Sequence, residues 1–108
     1  MSLPTEIFGD VVVVHAPDEL AADQAESLAG YLSSLERNQV VFDLDGAELI
    51  VSTGLEAMLD AQDRLRELGG DVKIATSNRY NRKILEMTRL DQQLEVFGSV
   101  IDAVKSFC

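Results

Sequence analysis

The sequence is poor in the residues that form disulfides, bind metals or attack substrates. Its 108 residues include one His, one Cys and no Trp. The single cysteine, Cys108, can form no disulfide within the chain, and no His or Cys has a partner at metal-ligand spacing. We therefore expect no metal and no cofactor. His15 lies far in the sequence from the hydroxyl groups of Ser52 and Thr53, which disfavours a Ser–His nucleophile and predicts a protein that is not an enzyme.

Basic residues are also scarce. Nine Lys and Arg against nineteen Asp and Glu give a formal net charge of −10 at pH 7. A charge of this sign repels nucleic acids and anionic membrane surfaces, so we expect protein partners and no nucleic acid. No apolar run is long enough to cross a bilayer, and no signal-peptide pattern opens the chain. The sequence thus predicts a cytoplasmic protein without membrane insertion.

The length fits one domain spanning residues 1–108. Apolar runs typical of strands alternate with segments of helical periodicity, which predicts an α/β fold. We expect a mostly parallel central sheet after an N-terminal hairpin, flanked by about four helices. The expected strands are 7–8, Val11–His15, 39–44, Asp71–Ala75 and, at a sheet edge, 94–97. The expected helices are 21–37, one from Leu55 to a stop at Gly69-Gly70, 81–89, and one capped by Ser99.

Apolar positions at helical spacing define the expected buried faces. In the second helix they are Leu55, Met58, Leu59, Leu65 and Leu68. The third helix carries Ile84, Leu85 and Met87. In the last helix the expected inward residues are Val100, Ala103, Val104 and Phe107.

The most informative segment is Ser52-Thr53-Gly54, at the predicted start of the second helix. A helix N-terminus presents unpaired N–H groups and partial positive charge, so it suits a bound or covalently attached phosphate. A structural explanation also exists, because Thr53 and Glu56 match a capping box. Capping does not account for Gly54, a poor residue for a first helical turn, which suggests a close approach to the backbone.

Two charged clusters remain. Asp43, Asp45 and Glu48 could bind a hard cation, although three acids near a strand end are more often a solvated loop. The second cluster is the only basic one, and part of it should share one face of the third helix. It is either a solvated surface or a contact for a partner's acid or phosphate group. Its members are Arg79, Arg82, Lys83 and Arg89.

These segments resemble the STAS domain family, of the anti-sigma factor antagonist type. The resemblance covers nearly the whole chain and is most specific at the loop 49–55, which matches a family loop of the form Asp-Ser-Ser-Gly or Asp-Ser-Thr-Gly. It continues through strand 40–44, the Gly69-Gly70 turn, strand 72–75 and residues 84–91. Two positions depart from the family pattern: Val51 replaces the usual acid, and Arg89 stands where the family commonly has glycine.

The resemblance implies a partner switch. The unmodified domain would bind an anti-sigma factor, itself a serine/threonine kinase, and phosphorylation of Thr53 would end that binding. We expect Val51, Ser52, Gly54 and Glu56 to form the partner-contact loop. From the basic cluster itself, Arg79, Arg82 and Lys83 are candidates for secondary contacts.

Two other interpretations stay open. Single STAS domains also serve lipid-transport ABC systems as accessory subunits that dock on the ATPase, where the hydroxyl is a contact and needs no modification. A STAS module without phosphorylation could instead act as a signalling scaffold. The sequence leaves a homodimer open as well.

Overall fold

The computed structural model describes residues 3–20, 30–32, 34–35, 37–50 and 52–107. The strands are β1 Thr5–Phe8, β2 Val11–His15, β3 Glu19–Leu20, β4 Gln39–Asp43, β5 Leu49–Ile50, β6 Asp71–Ala75 and β7 Val96–Phe97. The helices are α1, described at residues 30–32 and 34, then α2 Ser52–Glu67, α3 Arg79–Met87 and α4 Val100–Lys105. A 3₁₀ turn spans Leu90–Gln92.

The main sheet has five strands in the order β1-β2-β4-β6-β7. β1 pairs antiparallel with β2, and every other pair is parallel. Val40, Val41 and Phe42 of the central strand β4 are fully buried, as expected for a parallel strand covered on both faces. The α/β fold with an opening hairpin and a mostly parallel sheet is therefore confirmed.

Alternating strand residues supply two separate cores, because successive side chains point to opposite faces of a sheet. Val12, Val40 and Ile74 face a larger core that includes Leu32 of α1, Leu55 of α2 and Leu85 of α3. The other face is covered by α4. That smaller core contains Val11, Val13, Val41, Ala75 and Ala103, with Val100, Val104, Phe97 and Phe107 packed against it.

The Gly69-Gly70 stop has a separate physical reason at each glycine. Gly69 has φ +85°, a left-handed conformation that favours glycine, and the Gly70 N–H donates to the Leu65 carbonyl at 2.8 Å. A Cβ on Gly70 would collide with the backbone of Asn38. The second glycine thus lets the end of α2 pass close to the start of β4.

Two apolar residues of the predicted helices are exposed. Leu68 is 60% exposed because α2 ends at Glu67 and Leu68 already lies in the following turn. Met87 is 74% exposed, since α3 buries the side that carries Asn81 and Leu85 and Met87 falls on another side. The prediction that Leu68 belongs to the apolar stripe of the second helix was therefore wrong.

Other boundaries shift slightly. α3 begins at Arg79 rather than 81, because the Asn78 side chain accepts hydrogen bonds from the N–H groups of Tyr80 and Asn81 and caps the helix earlier. The expected edge strand is shorter and comprises Val96–Phe97. The Ser99 cap is confirmed, as its hydroxyl accepts from the Asp102 N–H at 3.1 Å. Most of the predicted helix 21–37 lies outside the described residues.

Candidate functional site

The Ser52-Thr53-Gly54 segment forms the first turn of α2, and residues 44–51 connect it to the carboxyl end of β4. The helix already includes Ser52, so Thr53 lies inside the first turn rather than at the N-cap that a capping box requires. Gly54 is buried and Glu56 is exposed. Val51 and the side chains of Ser52 and Thr53 lie outside the part that the structure describes.

A buried side chain of α3 holds the connection from β4 to α2. Asn81 is 1% exposed, and its Nδ2 donates to the carbonyl oxygens of Leu44 at 3.0 Å and Ala47 at 3.4 Å. The Ala47 N–H also donates to the Leu44 carbonyl, which closes a tight turn over residues 44–47. Buried carbonyls need such partners, so Asn81 fixes the path of the loop toward Ser52.

A second tie joins this loop to the one before α3. One Asp45 carboxylate oxygen accepts from the Ser77 N–H at 2.7 Å and the Thr76 hydroxyl at 3.1 Å, and the other accepts from the Ser77 hydroxyl at 3.2 Å. Asp43 instead accepts from the Asp45 N–H at 3.0 Å. Among the acids considered for a cation, these two are engaged by protein donors and Glu48 is exposed.

The last residues before α2 are held on their other side by a small parallel sheet. β3 pairs with β5, with Glu19 opposite Leu49 and Leu20 opposite Ile50. The Glu48 N–H also donates to the Asp18 carbonyl at 2.7 Å. The segment leading to Ser52 is therefore anchored on one side by the side chains of Asn81 and Asp45 and on the other by backbone hydrogen bonds to residues 18–20.

A groove of 280 Å³ opens beside the first turns of α2. The Gln62 side chain donates to the Gln93 carbonyl at 3.0 Å and fixes α2 against the turn that forms the far wall. The groove combines apolar and polar lining, which suits a protein contact. Its lining residues are Leu55, Glu56, Leu59, Thr88, Leu90 and Gln93.

The single histidine is engaged by two carboxylates. His15 Nδ1 contacts Asp43 Oδ2 at 2.8 Å, and Nε2 contacts Glu6 Oε1 at 2.7 Å. Burial lowers the pKa of His15, but hydrogen bonds to Asp43 and Glu6 and the charges of both carboxylates outweigh it, so the pKa is raised above 6.5. With both ring nitrogens facing carboxylates, His15 is oriented as part of a three-strand ion cluster.

The basic residues of α3 are all exposed, but they do not all lie on one face of the helix. Arg79 and Lys83 are four residues apart and share a helix face. Arg82 points elsewhere and lines a small cavity with Glu86 and Asp91, close to Gly98. Among the described residues, no ion pair involves Arg79, Arg82 or Lys83. The prediction that part of the cluster shares one face is confirmed.

Asn81 and Asp45 were not recognised in the sequence as supports of the site. The signal for Asn81 was available, because it lies three and four residues before Ile84 and Leu85 and so falls on the apolar face. The described residues contain no group of three or more His, Cys, Asp or Glu that could hold a metal ion. Within the same residues, no helix has the length and apolar character needed to cross a membrane.

A family model described as STAS domain matches residues 2–103. The chain belongs to the STAS domain family. No curated protein gives a match. Among solved structures, an anti-sigma factor antagonist from Mycobacterium paratuberculosis is similar, with TM-score 0.83, 20% identity, and coverage of 97% of this chain and 92% of that one.

Two further structural neighbours show how widely the fold is shared. A sulfate transporter family protein from Wolinella succinogenes has TM-score 0.79 and 16% identity, covering 94% of this chain and 87% of that one. The Bacillus cell fate determinant SpoIIAA in its phosphorylated form has TM-score 0.71 and 14% identity, covering 99% and 100%. At these identities the likeness establishes the fold.

Arg89 adopts a backbone conformation that glycine would favour. Its φ and ψ are 62° and 19°, in the left-handed region, directly after the Thr88 C-cap of α3. A Cβ makes this conformation unfavourable, by about 1–2 kcal/mol. This STAS domain therefore retains the helix-ending conformation while carrying a residue that strains it.

Proposed function

We propose that this STAS domain is an anti-sigma factor antagonist that binds an anti-sigma factor of the serine/threonine kinase type, and that phosphorylation of Thr53 ends the binding. The observation that carries the proposal is the position of Ser52-Thr53-Gly54 in the first turn of α2, at the end of an anchored loop. The unmodified partner surface would comprise this loop, with Val51 and Glu56, and the exposed first turns of α2.

The anchored loop supports a docking role. The hydrogen bonds from Asn81 and to Asp18 hold the chain on both sides of the approach to Ser52. A preorganised loop loses little conformational entropy when a partner binds. The groove lined by Leu55 and Leu59 lies directly beyond it and offers apolar surface to the same partner.

Electrostatics support a phosphate switch at this position. A phosphate adds about −1.5 to −2 charges at pH 7 and is tolerated at the N-terminus of its own helix. The domain already carries −10, and the Glu56 carboxylate is nearby in the sequence on the groove wall. A partner packed on this surface would have to desolvate the added charge, so phosphorylation would weaken the complex while leaving the fold intact.

The test is phosphorylation by each anti-sigma kinase of the source organism, with ATP and Mg²⁺. Intact mass should show one added phosphate, and peptide mapping should place it on Thr53. Thr53→Ala should remain unmodified, whereas the adjacent Ser52→Ala should be modified at the wild-type rate. Phosphate on Ser52 would reassign the acceptor. Absence of both modification and complex formation with every kinase would rule out the proposal.

A second candidate is suggested by the sulfate transporter neighbour, whose presence shows that this fold also occurs in a transport protein. In that case the domain would be an accessory subunit docking on the ATPase of a lipid-transport ABC system, with the Thr53 hydroxyl as a plain contact. Affinity purification from the source organism would then recover an ATPase. Thr53→Ala and Thr53→Glu would both weaken the complex, whereas the switch model requires only the second to do so.

A further inference from the structure

The exposed face of α3 has a charge opposite to that of the molecule around it. Arg79, Tyr80, Lys83 and Met87 follow helical spacing, and all four are exposed; we call them the α3 face. Tyr80 is 65% exposed and Met87 is 74% exposed. The chain as a whole has nineteen acids and nine basic residues, whereas α3 has three basic residues and one acid, the exposed Glu86, so a net basic helix is a local exception.

The cations of this face are not explained by the stability of the helix. Arg79 opens α3, whose first turn contains no acid and whose last turn contains no base. The partial positive charge of a helix N-terminus repels cations there, so Arg79 is at the unfavourable end. Among the described residues neither Arg79 nor Lys83 has an ion-pair partner. Neither the helix dipole nor an ion pair among the described residues therefore explains why these two cations lie on α3.

The α3 face is rigidly joined to the proposed docking loop. Asn81, on the opposite side of the same helix, holds the carbonyls of Leu44 and Ala47. Asp45 holds Ser77 just before the helix. The end of α3 also supplies Thr88 to the groove wall. A partner seated on the loop and groove would therefore meet the α3 face in a fixed orientation.

We propose that the α3 face is an interaction surface for an acidic patch of a protein partner, which docks by pairing carboxylates with Arg79 and Lys83 around Tyr80 and Met87. Arg, Tyr and Met are typical of protein interfaces, and they accompany the charges here. An extended polyanion such as a membrane or nucleic acid would also meet the repulsion of the whole −10 domain. A compact acidic patch avoids most of that repulsion, which favours a protein.

The α3 face would then be a second contact for the anti-sigma factor, which rests on the proposed function. Opposite charges at such a site increase the association rate and fix orientation more than they add affinity. The binding should therefore weaken as salt increases, and the α3 face should account for that dependence.

The first experiment needs no identified partner. A synthetic 16-residue Glu/Ala peptide is titrated into ¹⁵N-labelled protein at low ionic strength, with a Lys/Ala peptide as the charge-reversed probe. Amide shifts caused by the Glu/Ala peptide should concentrate on residues 79–89. The double variant Arg79→Gln/Lys83→Gln should reduce the response about tenfold, whereas Arg64→Gln/Lys105→Gln, with the same change in net charge, should retain it.

The same samples are used to check that the variants fold. Removing Arg79 relieves an unfavourable charge at a helix N-terminus, so the midpoint of thermal unfolding of Arg79→Gln/Lys83→Gln should equal or exceed the wild-type value. Shifts elsewhere on the domain, or equal responses of both double variants, would overturn the inference. So would a response to phosphatidylglycerol vesicles without one to the peptide, or a dimer in sedimentation that only Arg79→Gln/Lys83→Gln dissolves.

The second experiment measures binding to the anti-sigma kinase and separates the two proposals. If Thr53→Glu abolishes binding and the α3 double variant binds like wild type at all salt concentrations, the α3 inference fails and the proposed function stands. If no kinase binds the wild type but the Glu/Ala peptide still maps to residues 79–89, the proposed function fails and the α3 face remains a docking surface. If both proposals are right, Arg79→Gln/Lys83→Gln should associate with the kinase about tenfold more slowly than wild type at low salt.

Discussion

At the scale of single residues, Arg89 is the only non-glycine with positive φ among those that the structure describes. Glycine adopts this conformation without the steric cost that a Cβ imposes. The Arg89 N–H accordingly ends α3 by donating to the Glu86 carbonyl at 3.1 Å, which glycine would preserve. The strain thus belongs to the side chain and is removable by one substitution.

Arg89→Gly should therefore raise the free energy of unfolding by about 1 kcal/mol, measured by urea denaturation. Arg89→Ala is the matched control, because it removes the same charge but keeps the Cβ, and it should be no more stable than wild type. If Ala stabilises as much as Gly, the effect comes from charge and the strain explanation fails.

His15 is the residue whose environment makes stability depend on pH. Its pKa is raised in the folded state, because the hydrogen bonds and charges of Asp43 and Glu6 outweigh burial. A raised pKa means that the folded state binds the proton more tightly than the unfolded chain. The stabilisation is thus fully present below the unfolded pKa of 6.5 and is lost as pH rises through the folded pKa.

The prediction compares wild type with His15→Gln in urea denaturation at pH 5.5 to 9. The difference in unfolding free energy between them should be largest at the acidic end and shrink as the pH rises. Using the difference cancels titrations that both proteins share. A constant difference across the range, or one that grows with pH, would contradict the ion-cluster assignment.

At the scale of elements, α3 supports the loop that leads to α2. Leu44 and Asn81 are both buried, so the Leu44 carbonyl has no ready access to water when the amide is removed. Losing a hydrogen-bond partner for a buried carbonyl costs about 1–3 kcal/mol. The Leu side chain that replaces Asn81 would fill the space but donate to neither carbonyl, which leaves the Leu44 carbonyl with only its bond from the Ala47 N–H.

Asn81→Leu should therefore lower the free energy of unfolding by about 1–3 kcal/mol and speed amide exchange at residues 44–48. Gln92→Leu removes an exposed amide from the 3₁₀ turn and should stay within about 0.5 kcal/mol of wild type. Unchanged exchange in the loop of Asn81→Leu would show that α3 does not hold it.

Element-scale features differ in how well the sequence predicts them. The strands Val11–His15 and Asp71–Ala75 were predicted with correct bounds. The first begins with a continuous apolar run, typical of a strand buried on both faces, and the second follows directly on the Gly69-Gly70 stop. The pairing of Glu19–Leu20 with Leu49–Ile50 was not predicted. Two-residue strands carry no period, and only the tertiary arrangement brings them together.

The candidate site also combines a feature that the sequence predicts with supports that only the tertiary structure brings together. The Ser52-Thr53-Gly54 turn was found from its position between a strand and a helix, because hydroxyls and glycine have strong preferences at helix starts. Its supports were missed. The contact of Asp45 with Ser77 joins residues 32 positions apart, and the groove beside Leu55 exists only once the 3₁₀ turn packs against α2.

At the scale of the whole molecule, charge is distributed in a way that matches a switchable protein contact. The net charge is −10, yet α3 presents Arg79 and Lys83 without ion-pair partners among the described residues. The Thr53 turn and the α3 face are connected through Asn81. Adding negative charge at the turn would oppose the attraction that the α3 face provides.

The central claim is that charge at Thr53 controls binding to an anti-sigma kinase. Isothermal titration of each kinase of the source organism with wild type, Thr53→Ala and Thr53→Glu tests it most directly. Thr5→Glu, which adds the same charge on the exposed strand β1, is the control. Thr53→Ala and Thr5→Glu should bind within about threefold of wild type, and Thr53→Glu should lose about 100-fold or more, or roughly 2.7 kcal/mol. Wild-type affinity of Thr53→Glu would contradict the account.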